Sequence, residues 1–252
     1  MLKSIYIIPI FIVLIFIINN YVLFNISNSF SQNPVDKNYL LGKFDPAKDS
    51  RFVQLTAEYA SGSALNRFLR KEALESFQKM QSAAQQDGVR LIIISATRNF
   101  ESQKKIWEDK WNGKVKVAGK DLTTIMDKNE RARMILLYSS MPSTSRHHWG
   151  TDIDLNSVSP QYFESAEGKK IYEWLTAHAS EFGFCQPYTS KESGRTGYEE
   201  EKWHWSFVPL SKSLLEEYKN QIRYTDITGF LGGETAASLQ VIEKYVDGVS
   251  CR

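Results

Sequence analysis

The chain opens with a block of apolar residues. From Ile5 to Ile18 the run is almost unbroken, Lys3 is the one charge before Asp36, and Asn19 and Asn20 interrupt it before Tyr21 to Phe24 resume it. A cleaved export signal needs an apolar core of ~7–15 residues and a small-residue cleavage site, whereas a spanning helix needs roughly 20 apolar residues. Residues 1–26 therefore read as either a signal peptide or a membrane anchor, and both place the body of the protein outside the cytoplasmic membrane. Residues 27–38 are polar, with Pro34 and several Asn and Ser, and read as a linker. The folded domain is expected over 39–252.

Within that domain the pattern changes period several times. Over residues 64–85, Leu65, Phe68, Leu69, Ala73, Leu74, Phe77, Met80 and Ala84 recur at helical spacing with Lys and Glu between them, which predicts a helix packed on a core. Asp87-Gly88 stops it, and the β-branched run VRLIIIS at 89–95 predicts a buried strand. Arg98 follows directly, then helical patterns over 100–111 and 129–138. Residues 151–155 predict a strand in which Asp152 and Asp154 share one face and Ile153 points to the other. Residues 167–182 read as an amphipathic helix ended by Gly183. A loop follows at 190–197, then an aromatic-rich strand at 202–208. Residues 211–249 look helical with a break at 229–233. There is no internal repeat. Helices mixed with short strands predict an α+β domain with a small antiparallel sheet flanked by helices.

Composition narrows the picture modestly. Apolar residues at 42% and charged residues at 24% exclude a collagenous or wholly disordered chain. The 31 basic and 29 acidic side chains nearly cancel, so the strong field on which nucleic-acid binders rely is missing. Cys185 and Cys251 make an even count in an exported chain, so a disulfide tying down the C-terminal tail stands beside the alternative of two unpaired thiols.

The chemistry concentrates in SRHHWGTDID at 145–154 and in EKWHW at 201–205. On a continuous helix His147 and Asp154 would lie about 10 Å apart, too far to hold one ion, so they must meet through a turn, which Gly150 permits. A catalytic zinc takes three protein ligands and leaves a position for water. His204, flanked by Trp203 and Trp205, supplies the third, making the set His147, Asp154 and His204. Glu201, three residues before His204, has the spacing of a general base beside the metal. His148 reads as a packing residue or a support for the ligands, His178 as structural, and the two tryptophans as core and pocket walls.

Taken together, Ser145-x-His147-x-x-Gly150-x-Asp152-x-Asp154 and Glu201-x-Trp203-His204-Trp205 resemble the zinc D-alanyl-D-alanine carboxypeptidases of the VanY and M15 class, related in fold to the hedgehog domain. Ser95 to Gln103 is similar to that family's S-x-x-R-S-x-x-x-Q segment, and the resemblance spans residues 77–208. It implies zinc (Zn2+) on His147, Asp154 and His204, Glu201 as general base, and Arg98 stabilising the oxyanion. It further implies that Ser145 and Gln103 hold or support the substrate. The expected activity is hydrolysis of the terminal D-Ala-D-Ala bond of peptidoglycan stem peptides by a monomer, at the outer face of the membrane or in the periplasm. An L,D-carboxypeptidase, an endopeptidase, a zinc domain used only for binding and a metal-free tethered structural protein are the rivals.

Two positions depart from the family pattern. Asp152 stands where a small residue is common, and from the shared strand face it could accept a hydrogen bond from a ligand histidine's second nitrogen or alter the charge around the pocket. Ser143 stands where a glycine often follows the proline.

Overall fold

The structure, a computed structural model, describes residues 35–251. The expected signal or anchor segment, and the linker as far as Pro34, lie outside the described residues. Among the described residues no helix is long and apolar enough to cross a membrane. The last part of the expected linker already belongs to the folded body: Val35 packs against the core, and Asp36 caps helix α1 (Lys37–Leu40) by accepting from the Asn38 N–H at 2.9 Å.

A hairpin that the periodicity did not foretell comes next. Strands β1 (Phe52–Gln54) and β2 (Phe68–Arg70) pair antiparallel, with Phe52 opposite Arg70. Helix α2 (Lys71–Gln86) therefore starts later than the apolar spacing suggested. Asn66 turns the chain with φ +64°, and residues 68–70 spend their backbone groups on β1. Strand pairing overrode a local helical spacing there. Helix α2 buries Ala73, Leu74, Phe77, Met80 and Ala84.

Of the run at 89–95 only β3 (Ile93–Ser95) is laddered, although Val89 and Leu91 are also buried. Helix α3 (Phe100–Trp111) is capped by Asn99, whose side chain accepts from the Ser102 N–H at 2.9 Å; helix α4 (Lys128–Ile135) is capped likewise by Asp127. Strand β4 (Asp152–Leu155) precedes helix α5 (Ala166–His178), which tightens into a 3-10 turn over Ala179–Phe182 and stops at Gly183. Strands β5 (Phe184–Cys185) and β6 (His204–Phe207) and helix α6 (Val208–Gln221) follow. Beyond α6 the chain breaks into short turns and one π-helical stretch, Ile242–Val246, instead of continuing as a helix. At the break, Gly232 has φ +79° and a Cβ on it would lie 2.4 Å from the Trp111 ring.

The main sheet has the order β3-β4-β6-β5, every pair antiparallel. Asp152 faces Ser206, Ile153 faces Trp205 and Asp154 faces His204. Alternation sends Ile153, Leu155, Trp205 and Phe207 into a core shared with α2 and α5. A second core gathers Trp107, Trp111, Trp149, Tyr188, Tyr198 and Tyr218. Cys185 and Cys251 form a disulfide with Cα atoms 6.0 Å apart, tying β5 to the C-terminal tail.

Candidate active site

His147 sits in a 3-10 turn, Arg146–Trp149, that Gly150 ends with φ +71°. A Cβ on Gly150 would lie 2.3 Å from the Phe52 ring, so both the backbone angle and the hairpin's approach call for glycine. The turn delivers the chain into β4, and His204 opens the neighbouring β6. Asp154 Oδ2 then lies 3.4 Å from His147 Nε2, and Asp154 Oδ1 lies 3.3 Å from His204 Nδ1. One donor atom from each of the three falls within 4.8 Å of the others, and all three residues are buried. His147 Nε2 and Asp154 Oδ1 have no hydrogen-bond partner. Orphaned buried polar atoms are rare. Close approach without hydrogen-bond geometry is what donors aimed at a common point produce.

The far sides of the two rings are held. His147 Nδ1 lies 3.0 Å from the Ala96 carbonyl, and His204 Nε2 lies 2.9 Å from Asp152 Oδ2. Asp152 is thereby the carboxylate behind His204. It also receives Arg146 Nε at 3.0 Å and the Ser206 hydroxyl at 2.8 Å, all within a fully buried cluster. Burial pushes its carboxyl up, but the Arg146 guanidinium and then His204 outweigh that and hold it below the usual range. Burial likewise opposes ionisation of Asp154, and the His147 and His204 rings hold its pKa well below the ordinary value. Burial, followed by Arg98, lowers His147 to about 4.

Glu201 lies just before β6, buried, with Oε2 3.1 Å from His204 Nδ1. Burial raises its pKa. The Arg98 backbone N–H donates to the His147 carbonyl at 3.2 Å, and its side-chain Nε has no partner. His148 turns away from the ligand set. Its Nε2 accepts from the Ser143 N–H at 3.1 Å, so its Nδ1 carries the proton that goes to the Arg98 carbonyl at 2.5 Å. The ring is neutral, in keeping with a pKa that burial lowers to about 3. Ser143 has φ +71°, the left-handed region in which a glycine is at ease.

These groups open onto a cavity of about 500 Å3 whose wall includes His147, Asp154, Glu201, His204 and Arg98. Ser145 and Gln103 are not part of that wall. Gln103 is buried and donates to the Ser140 carbonyl at 2.8 Å, while the buried Ser145 hydroxyl is unpartnered. Both tryptophans are buried in the core, and Trp203 also lines the cavity. His178 is half-buried and pairs with Glu181. Sequence reasoning passed over Lys110, Ser139, Ser140, Tyr188 and Tyr198, which also line the cavity. Tyr188 packs edge-on against His204 with centroids 4.8 Å apart. No local pattern marks these residues, because the turns and α3 bring them in from distant positions. Lys110 donates to the Ser139 hydroxyl, and burial, then Arg98, lowers its pKa.

Residues 66–210 match the VanY family, described as D-alanyl-D-alanine carboxypeptidase. A D-alanyl-D-alanine carboxypeptidase of Enterococcus faecalis is 28% identical over 151 residues, 57% of this chain and 52% of that protein. The chain thus spans about half the length of that relative. Among solved structures, a vancomycin-resistance D,D-pentapeptidase VanY in complex with Zn(II) superposes with a TM-score of 0.50 at 24% identity, covering 75% of this chain and 90% of that one. The LdcB LD-carboxypeptidase gives 0.51 at 22% identity, covering 72% and 81%. At these identities the structural likeness establishes the α+β fold.

Proposed function

The chain belongs to the VanY D-alanyl-D-alanine carboxypeptidase family, and on that premise we propose that it is a zinc-dependent D,D-carboxypeptidase that removes the terminal D-alanine of peptidoglycan stem peptides. The observation that carries this reading is the convergence of His147 Nε2, the Asp154 carboxylate and His204 Nδ1, with two of those residues offering a buried atom that has no other partner. Two imidazole nitrogens and a carboxylate oxygen are a donor set that suits zinc.

When bound, zinc supplies Lewis acidity to the reaction. The residues of the chain do the rest. Glu201 takes the proton of the attacking water and returns it to the leaving amine, helped by the burial that raises its proton affinity. The unpartnered Nε–H of Arg98 faces the oxyanion that develops on the scissile carbonyl. Asp152 and the Ala96 carbonyl fix the far nitrogens of the two histidines, so each ring presents one chosen lone pair. Gln103 supports the substrate wall through Ser140, and Ser145 lies two residues before the ligand His147. The Cys185–Cys251 disulfide supports action in an oxidising compartment outside the cytoplasm.

Defined muropeptides test the reading. Zinc-loaded protein should release D-alanine from a pentapeptide stem, detected by mass spectrometry, and a chelator should abolish release until zinc is restored. Release only from tetrapeptide stems would make it an L,D-carboxypeptidase, and internal cleavage an endopeptidase. A protein that retains no zinc and releases nothing would remove the enzymatic reading altogether.

A further inference from the structure

Lys110 stands apart from its neighbours on the same stretch of chain. Lys105 and Lys114 both reach Asp109, at 2.5 and 3.5 Å. Lys110, in the last turn of α3, is half-buried, lines the metal-site cavity and donates to the neutral Ser139 hydroxyl. Among the described residues neither Lys110 nor Arg98 forms an ion pair, and the Arg98 Nε–H lacks any partner. Two cations thus face one cavity with neither held in an ion pair, an arrangement that favours an anionic ligand once the cavity's own carboxylates are neutralised.

The charge count of the cavity sharpens this. Its fixed anions are Asp154 and Glu201, which one divalent cation would neutralise; Asp152 is already matched by Arg146. Arg98 and Lys110 then remain as two uncompensated positive charges. A peptide undergoing hydrolysis at its last bond brings two negative charges: the oxyanion at the scissile carbonyl, and the carboxylate one residue beyond. Arg98, whose backbone is bonded to His147, is tied to the metal side. We infer that Lys110, with Ser139 beside it, is the anchor for the substrate's C-terminal carboxylate, and that it confines this site to the last peptide bond. This assignment rests on the carboxypeptidase reading, but it concerns recognition and not turnover.

Binding separates the two. In zinc-loaded protein carrying Glu201→Gln, calorimetry gives the dissociation constants of diacetyl-Lys-D-Ala-D-Ala and of its C-terminal amide. The free acid should bind more tightly than the amide. Adding Lys110→Met should weaken the acid by about 30-fold or more, the loss expected when one member of a desolvated charge pair is truncated, and bring the acid-to-amide ratio close to one. Lys110→Arg should restore the preference, which a merely structural role would not. An acid preference that survives Lys110→Met, or that is absent in the Lys110 parent, overturns the assignment. If the preference depends on Lys110 while the unmutated enzyme releases no D-alanine from the same acid, the anchor stands and the carboxypeptidase reading falls.

Discussion

The β4–β6 strand pair has two faces with opposite economies. On one, Ile153, Leu155, Trp205 and Phe207 are buried among apolar neighbours from α2 and α5. On the other, Asp152, Asp154, His204 and Ser206 are just as buried, yet every one is polar or ionisable. Burying an apolar side chain is favourable by itself, whereas burying a carboxylate is costly unless it is paired. The apolar face therefore needs only shape. The polar face needs partners, and it has them: Arg146 and Ser206 for Asp152, Asp152 for His204, and the His147 and His204 rings for Asp154. Stability and chemistry can share one pair of four-residue strands because the side-chain period is two.

If the faces are separable, substitutions on each should move different observables. Glu201→Gln, beside the polar face, should lower kcat roughly 10²- to 10⁴-fold, the usual worth of a general base, while zinc stoichiometry by metal analysis and the melting temperature stay unchanged. Retained turnover would remove Glu201 from the role. Opening the disulfide at the sheet's β5 edge with Cys185→Ser and Cys251→Ser should cost stability in denaturant melts, about 4 kcal/mol for a loop of this length in the chain-entropy account. Zinc affinity should survive that change, and a parallel loss would show that the edge and the site are coupled. Asp152→Asn should weaken zinc roughly 10- to 100-fold in chelator competition; unchanged affinity would reduce Asp152 to a partner for Arg146. The smallest effect belongs to Ile153→Val, about 1 kcal/mol of stability with zinc affinity intact. A metal-affinity change there would break the separation of faces.

The polar face was far more legible in the sequence than its surroundings. The alternation Asp152-Ile153-Asp154 and the glycine before it announced both the turn and the shared face, because those constraints are local. The same alternation allowed Asp152 to meet the second nitrogen of one of the histidines without saying which, and the structure puts it 2.9 Å from His204 Nε2. The β1–β2 hairpin was not legible, since its stability comes from pairing residues well separated in the chain, against a helical spacing that looked sufficient near Phe68. The cavity wall was hidden for a similar reason. Lys110 differs from Lys105 only in what folding brings to it, a serine hydroxyl in place of a carboxylate. Ser145 and Gln103, expected to hold or support the substrate, are buried behind the cavity wall, and Gln103 reaches that wall through the Ser140 carbonyl, a placement that motif spacing does not specify.

His148 is bonded at both ring nitrogens, to the Ser143 amide on one side and the Arg98 carbonyl on the other, and Arg98's own amide returns to His147. The loop carrying the first proposed ligand is therefore stitched to the strand-end carrying the proposed oxyanion group by protein hydrogen bonds alone. The ordering entropy of those segments is surrendered during folding. An ion held by His147, Asp154 and His204 would meet side chains whose backbone is already placed, so protein stripped of metal by a chelator should keep its native circular-dichroism spectrum.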